Sequence, residues 1–190
     1  MQIAADLLFF LVWVAFYIYW LVSAWITRSP VKRKQSRFAF LSYGGVWVVI
    51  WVILVTVFVP DLMSDRIIPA GIGFTIAGLI ITVAGLAFAI WARVHLGKNW
   101  SGMPVIREEH TITRTGPYSF VRHPIYSGLI LAFFGTAIGI GYVWVFCCVP
   151  LIFVLFVIKF RIEEKFLEEE FGEEYARYKR EIKALIPYVI

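Results

Sequence analysis

The residues best suited to chemistry fall in two short polar stretches that border long apolar runs. The first is Arg122-His123-Pro124-Ile125-Tyr126. Pro124 lacks an N–H and restricts the backbone of His123 to an extended form. Proline also suits the first turn of a helix, so the spacing predicts a helix starting here. The free N–H groups of that helix can receive an anion or a ligand carboxylate, and His123 offers a donor and an acceptor beside them. The same residues also suit an interfacial anchor, with Arg122 and His123 on headgroups and Tyr126 at the boundary. The residue types alone leave both readings open.

The second stretch is Arg161-Ile162-Glu163-Glu164-Lys165-Phe166-Leu167. Lys159 precedes Glu163 by four residues, so on a helix the two share a face, while Arg161 lies on a neighbouring one. Acids at the polar end of a membrane helix also suit a solvated helix start. This pair follows an apolar run directly, on the same side as the His-Pro element. A carboxylate there can partner an ammonium or sulfonium group. A third segment, His110-Thr111-Ile112-Thr113, is short, polar and extended, and alone it reads as a loop. His95 and Asn99-Trp100-Ser101 are weaker signals still. The three histidines do not stand at metal-ligand spacing, so no metal site is expected. No phosphate-cradling glycine loop, Ser-His-Asp arrangement or cysteine centre is present. Cys147 and Cys148 are adjacent within an apolar run and read as small buried hydrophobes.

These stretches must be positioned by membrane helices. The 190-residue chain is 61% hydrophobic, with a mean hydropathy of +0.79, whereas a soluble domain is roughly 45–50% apolar. The excess sits in long runs. A span needs roughly 17–25 residues, and five can be read: about 6–26, 38–59, 69–94, 126–140 and 142–160. The fold class is therefore an all-α integral membrane protein of about five transmembrane helices. The first run is too long for the apolar part of a signal peptide and precedes a basic loop, so it is expected to remain as a helix. Gly135-Thr136-Ala137-Ile138-Gly139-Ile140-Gly141 predicts a tight hairpin in which spans four and five pack directly. Gly71, Gly73, Gly78 and Gly85 predict close contact of the third span with a neighbour. The segment from Glu163 to about Ile182 reads as a C-terminal helix with one apolar stripe, Phe166, Leu167, Phe171, Tyr175 and Tyr178. It continues span five past the membrane, breaks at Gly172, and folds back on the core.

Charge orients the spans. The net charge of +5 is explained by the excess of cations in cytoplasmic loops, and no nucleic-acid motif accompanies it. The first loop holds Arg28, Lys32, Arg33, Lys34 and Arg37 without an acid, and the segment 95–124 holds Lys98, Arg107, Arg114 and Arg122. Both are expected inside. The loop with Asp61, Asp65 and Arg66, and the hairpin tip, are expected outside. The N-terminus is then external and the C-terminal helix cytoplasmic, in the plasma (inner) membrane of a microbe.

From Leu96 onward the chain resembles the isoprenylcysteine carboxyl methyltransferases and, more widely, the phospholipid methyltransferases. The residues that carry the resemblance are Asn99-Trp100-Ser101, His110-Thr111-Ile112-Thr113, Gly116-Pro117-Tyr118 and Arg122-His123-Pro124-x-Tyr126. They continue with Glu163-Glu164, Phe171-Gly172-Glu173-Glu174-Tyr175-x-x-Tyr178 and Ile186-Pro187. The resemblance implies S-adenosylmethionine as methyl donor, S-adenosylhomocysteine as product, and no metal. It implies a cofactor pocket from His110, Thr111, Ile112, Thr113, Tyr118, Arg122, His123, Pro124, Ile125, Tyr126, Glu163 and Glu164. An arginine four residues before the first acid is associated in the family with the methyl acceptor. Lys159 stands there in this chain and Arg161 is shifted by two, so Lys159, Arg161 and Glu163 are the catalytic candidates. Lys keeps the charge but loses the two-pronged grip on a carboxylate. The implied partners are membrane lipids and a lipidic or prenylated small-molecule or peptide acceptor, with no nucleic acid. A single membrane domain, 1–190, is expected, with a three-span scaffold over 1–94 and a methyltransferase-like part over 95–190. The rival readings are a phospholipid N-methyltransferase, an NADPH-dependent sterol-type reductase with a similar His-Pro pattern, and a scaffold that has lost catalysis.

Overall fold

A computed structural model of the chain describes residues 2–27, 31–34, 65–100, 105–107 and 111–189. The second expected span, 38–59, and His110 lie outside the described residues. The described elements are α1 (Gln2–Ile26), β1 (Val31–Lys34), α2 (Ile72–Leu96), β2 (Val105–Arg107), α3 (Pro124–Ile140), α4 (Val143–Phe171) and α5 (Glu173–Glu181). Short 3-10 turns at Gly97–Asn99 and Gly116–Ser119 flank β2. Helices α1, α2 and α4 are long and apolar enough to cross a membrane, and α3 is a shorter apolar helix.

The predicted helix boundaries hold at three places. Pro124 opens α3, Gly172 separates α4 from α5, and the hairpin between α3 and α4 turns at Gly141. Gly141 takes φ 82°, a left-handed conformation that costs a side-chain-bearing residue roughly 1–2 kcal/mol. α4 runs unbroken through Pro150 and continues past the apolar segment to Phe171.

The tightest interface is not across that hairpin. The small residues of α3 face α2, and these two helices share the most extensive contact among the described elements. Gly85 and Gly128 meet backbone to backbone: a Cβ on either would lie 2.5 Å from the other's carbonyl oxygen. A Cβ on Gly78 would strike the backbone of Gly139 and one on Gly139 the ring of Phe9, whereas a Cβ on Gly73 would meet nothing within 4 Å. Of the four glycines expected at a close contact, Gly78 and Gly85 thus meet the fourth span and Gly71 and Gly73 do not, and α3–α4 packing is the lesser surface. In lipid, where apolar side chains gain nothing by leaving a solvent as apolar as themselves, close packing and interhelical hydrogen bonds drive such contacts. Thr82 reaches across: its hydroxyl, bonded to Gly78 O of its own helix at 2.8 Å, also lies 3.3 Å from Ala132 O and 3.2 Å from Thr136 Oγ1 of α3. Trp13 Nε1 donates to Thr136 Oγ1 at 3.0 Å and brings α1 onto the same seam.

A two-stranded antiparallel ribbon was not anticipated. β1, in the first basic loop, pairs with β2, with Val31 opposite Arg107 and Lys34 opposite Val105. At the other end, Ile67 and Ile68 donate their N–H groups to Gly141 O, and Arg66 donates to Ile140 O while lying over the Tyr142 ring.

Candidate active site

The site forms where α3 begins, beside the polar end of α4. His123 is the residue before the first turn of α3. Its backbone N–H donates to Ala184 O at 2.9 Å, and that of Arg122 to Lys183 O at 2.8 Å. Ser127 Oγ donates to Leu185 O at 2.6 Å. The C-terminal tail therefore accepts from three donors at this helix start. Tyr178 on α5 adds a hydrogen bond from its hydroxyl to Tyr118 O at 2.7 Å.

The two adjacent carboxylates have different surroundings. Glu164 is 3% exposed. Its Oε1 accepts from Arg122 Nε at 2.8 Å and from Arg122 Nη2 at 2.7 Å, and lies 3.1 Å from His123 Nε2. Its Oε2 lies 3.3 Å from Lys179 Nζ. Arg122 goes on to the carbonyls of Lys179 and Ile182. Both oxygens of Glu164 are thus bound by protein cations. Glu163 points elsewhere. Both of its oxygens face the Tyr126 hydroxyl, at 2.8 and 2.9 Å, and among the described residues Tyr126 is its one hydrogen-bond partner.

The Tyr126 ring that meets Glu163 belongs to an aromatic stack. Tyr126 stacks on His123 and on Phe156, with ring centroids 5.6 and 4.9 Å apart, and His123 stacks on Phe160 at 4.9 Å. Lys159 Nζ sits 5.6 Å from the centroid of the Tyr126 ring. Tyr118 is buried among Ala92, Ile125, Trp20, Trp100 and Tyr126. Burial pushes its phenol well above the ordinary tyrosine value, and the Tyr178 and Glu163 groups push the same way, so Tyr118 stays protonated.

The expected site residues divide as follows. Tyr118, His123, Pro124, Ile125, Tyr126, Glu163 and Lys159 come together at one end of α3 and α4. Thr111 is tied to the end of α2 by Asn99, whose Nδ2 donates to Thr111 O at 3.2 Å. Thr113 and Ile112 run on from it toward Gly116-Pro117-Tyr118, where His95 Nε2 lies 2.8 Å from Thr115 Oγ1. Arg122 and Glu164 are bound to each other, on the side of α4 away from Glu163. Arg161 lies on the far side of α4 from Lys159 and Glu163, lining a cleft with Lys165 and Glu168.

Arg93 is a component that sequence reading missed. It is 1% exposed, in the last turn of α2. It donates to Ser23 O at 3.1 Å, to Thr27 Oγ1 and to Gly97 O at 3.2 Å, and its guanidinium lies 3.9 Å from the centroid of the Trp100 ring. Trp20 meets Trp100 edge-on at 5.4 Å. The available signal was a lone cation inside an apolar span, which in a membrane is a site candidate by default.

A helical membrane protein with a buried polar site at one end of its bundle is the class these features define. Comparison with known proteins narrows it. The family described as Phospholipid methyltransferase matches residues 74–174, over half of the sequence, and the chain belongs to that family. It is 32% identical over 122 residues to the Protein-S-isoprenylcysteine O-methyltransferase of Saccharomyces cerevisiae, covering 60% of this chain and 49% of that protein. It is 40% identical over 173 residues to the Methanethiol S-methyltransferase of Crocosphaera subtropica, covering 87% of this chain and 66% of that one. The chain therefore spans about half the length of the first relative and about two thirds of the second. A solved structure, that of the eukaryotic intramembrane Ras methyltransferase ICMT (isoprenylcysteine carboxyl methyltransferase), superposes with a TM-score of 0.58 over 82% of this chain and 55% of that chain, at 22% identity. That likeness establishes the fold.

Proposed function

We propose that the chain transfers a methyl group from S-adenosylmethionine to the carboxylate of a lipidic or prenylated acceptor at the cytoplasmic face of a membrane. The observation that carries this reading is the carboxylate of Glu163, which has a neutral phenol as its partner, next to stacked aromatic faces. These residues fit the cofactor. A carboxylate suits an ammonium or ribose hydroxyls, and aromatic faces attract a sulfonium cation. Glu163, Tyr126, Tyr118 and the segment Thr111–Thr113 would hold it, and His110 belongs to the same set by resemblance. The bound cofactor would supply an activated methyl group.

The residues of the chain would bind and orient. Lys159, over Tyr126 and one helical turn from Glu163, would hold the acceptor carboxylate. A carboxylate is already anionic at neutral pH, so no general base is required. Orientation of well-placed reactants is worth roughly 7–11 kcal/mol. Arg122 and Glu164 act as positioning residues, fixing α3, α4 and the tail. Arg161 takes no part.

Two pairings support the proposed topology. β1 joins the first basic loop to the segment before α3, and Arg66 joins the second loop to the hairpin tip. Each pairing joins two segments that this topology assigns to the same face.

A second reading has one observation in its favour. The Crocosphaera relative, named for a thiol acceptor, is 40% identical and aligns with 87% of this chain. A cation beside the acceptor would serve a thiol by favouring its thiolate. The deciding experiment gives the detergent-purified protein radiolabelled S-adenosylmethionine with N-acetyl-S-farnesylcysteine or with methanethiol. Base-labile label in the farnesyl compound is expected. Label only in the thiol would move the assignment to S-methylation. Binding of NADPH but not of S-adenosylhomocysteine by calorimetry would discard methyl transfer altogether.

A further inference from the structure

The far side of α4 carries a second site. A cavity of about 670 Å³ opens between α4 and the C-terminal tail, lined among others by Phe160, Arg161, Glu164, Lys165, Glu168 and Lys183. Its two carboxylates are already engaged. Glu164 is held by Arg122 and Lys179, and Glu168 by Lys179 Nζ at 2.8 Å. Arg161, Lys165 and Lys183 have no ion-pair partner among the described residues, and all three are exposed. Three cations that converge without an anion repel one another, and an anionic ligand relieves that repulsion.

The helix phase says which anion. Val154, Ile158, Arg161 and Lys165 follow one another at steps of four, three and four, so they form a single stripe along α4. The first two are exposed apolar side chains, 51% and 39% accessible. The stripe passes from exposed hydrocarbon to exposed cations at Phe160, the buried floor of the cavity. A free phosphate would use the cations only. An amphiphile with an acidic head and an apolar tail would use the whole stripe.

We propose that this cavity binds the phosphate headgroup of an anionic phospholipid, with an acyl chain lying along Val154 and Ile158. Arg161, Lys165 and Lys183 contact the phosphate. The site is distinct from the Tyr126–Glu163 centre, which lies on the opposite side of α4, and it does not depend on the reaction proposed there.

The test is native mass spectrometry of the full chain in detergent, titrated with phosphatidylglycerol, phosphatidylcholine or inorganic phosphate. One retained phosphatidylglycerol per chain, not displaced by excess phosphatidylcholine, is expected. The double variant Lys165→Gln/Lys183→Gln should lower that retention roughly tenfold, since each cation at an anionic lipid surface contributes appreciably to binding. If the double variant does not fold, Lys165→Glu alone should lower retention in the same direction. Equal retention of the two lipids, unchanged retention in a folded variant, or full displacement by millimolar inorganic phosphate would each overturn the proposal.

Discussion

Glu163 and Glu164 are neighbours with the same side chain, yet they belong to different regions of the molecule. Successive residues on a helix point about 100° apart, and here that angle separates an acid beside a neutral phenol from one enclosed by cations. Glu164 is buried with Arg122, His123 and Lys179 around it. Glu163 is half-buried and, among the described residues, meets a single neutral hydroxyl. The difference teaches what to look for in a pair of acids. A carboxylate saturated by protein cations holds the fold, and one left with a neutral partner can bind something else.

The comparison breaks most visibly at Arg122. Arg122→Ala strips the guanidinium from a buried carboxylate, which costs about 3–5 kcal/mol. Thermal unfolding in detergent should show that loss with or without cofactor. A variant as stable as the parent would mean that Glu164 is not held as described. Glu163→Gln should behave oppositely, keeping the unfolding midpoint but weakening S-adenosylhomocysteine binding by roughly tenfold to a hundredfold, the worth of a hydrogen bond to a charged group. Calorimetry checks it, and an affinity equal to the parent's would remove Glu163 from the site. Lys159→Ala sharpens the assignment on the same face. It should lower kcat/KM for a carboxylate acceptor by about tenfold and leave cofactor affinity alone. A change confined to cofactor affinity would place Lys159 with the donor. The smallest effect is expected from Tyr126→Phe, which keeps the aromatic ring and removes only the hydroxyl that orients the Glu163 carboxylate. Several-fold weaker cofactor binding should follow, and this loss should largely vanish in the Glu163→Gln background.

Much of the scaffold was legible because its signals are local. Pro124, Gly141 and Gly172 end or begin helices through their own backbone chemistry. The long apolar runs read as membrane helices by length alone, and α1, α2 and α4 have that length and composition. The division of labour between the acids was not legible. It depends on how α4 is rotated relative to α3, and residue types do not encode that rotation. The grip of Arg93 on Ser23 and Thr27 joins residues 70 and 66 positions apart, so no spacing rule announces it. The interface of α2 with α3 was half legible. Its glycines stood out, but Thr82 and Thr136 read as ordinary residues until their hydroxyls met across the helices. The β1–β2 ribbon is a pairing of distant short segments with no periodic pattern to reveal it.

The backbone bonds from Arg122, His123 and Ser127 to residues 183–185 bear on how the protein comes into being. All the described membrane helices precede those acceptors in the chain, so they can insert while this end of the bundle is still unfinished. Until the tail arrives, the start of α3 has donors with no acceptor, and Glu164 lacks the lysine that closes its cage. Such an intermediate would sit in the bilayer with its charged groups turned to headgroups and water. A chain interrupted before residue 183 would keep its membrane helices and lack the three acceptors that close this end of the bundle.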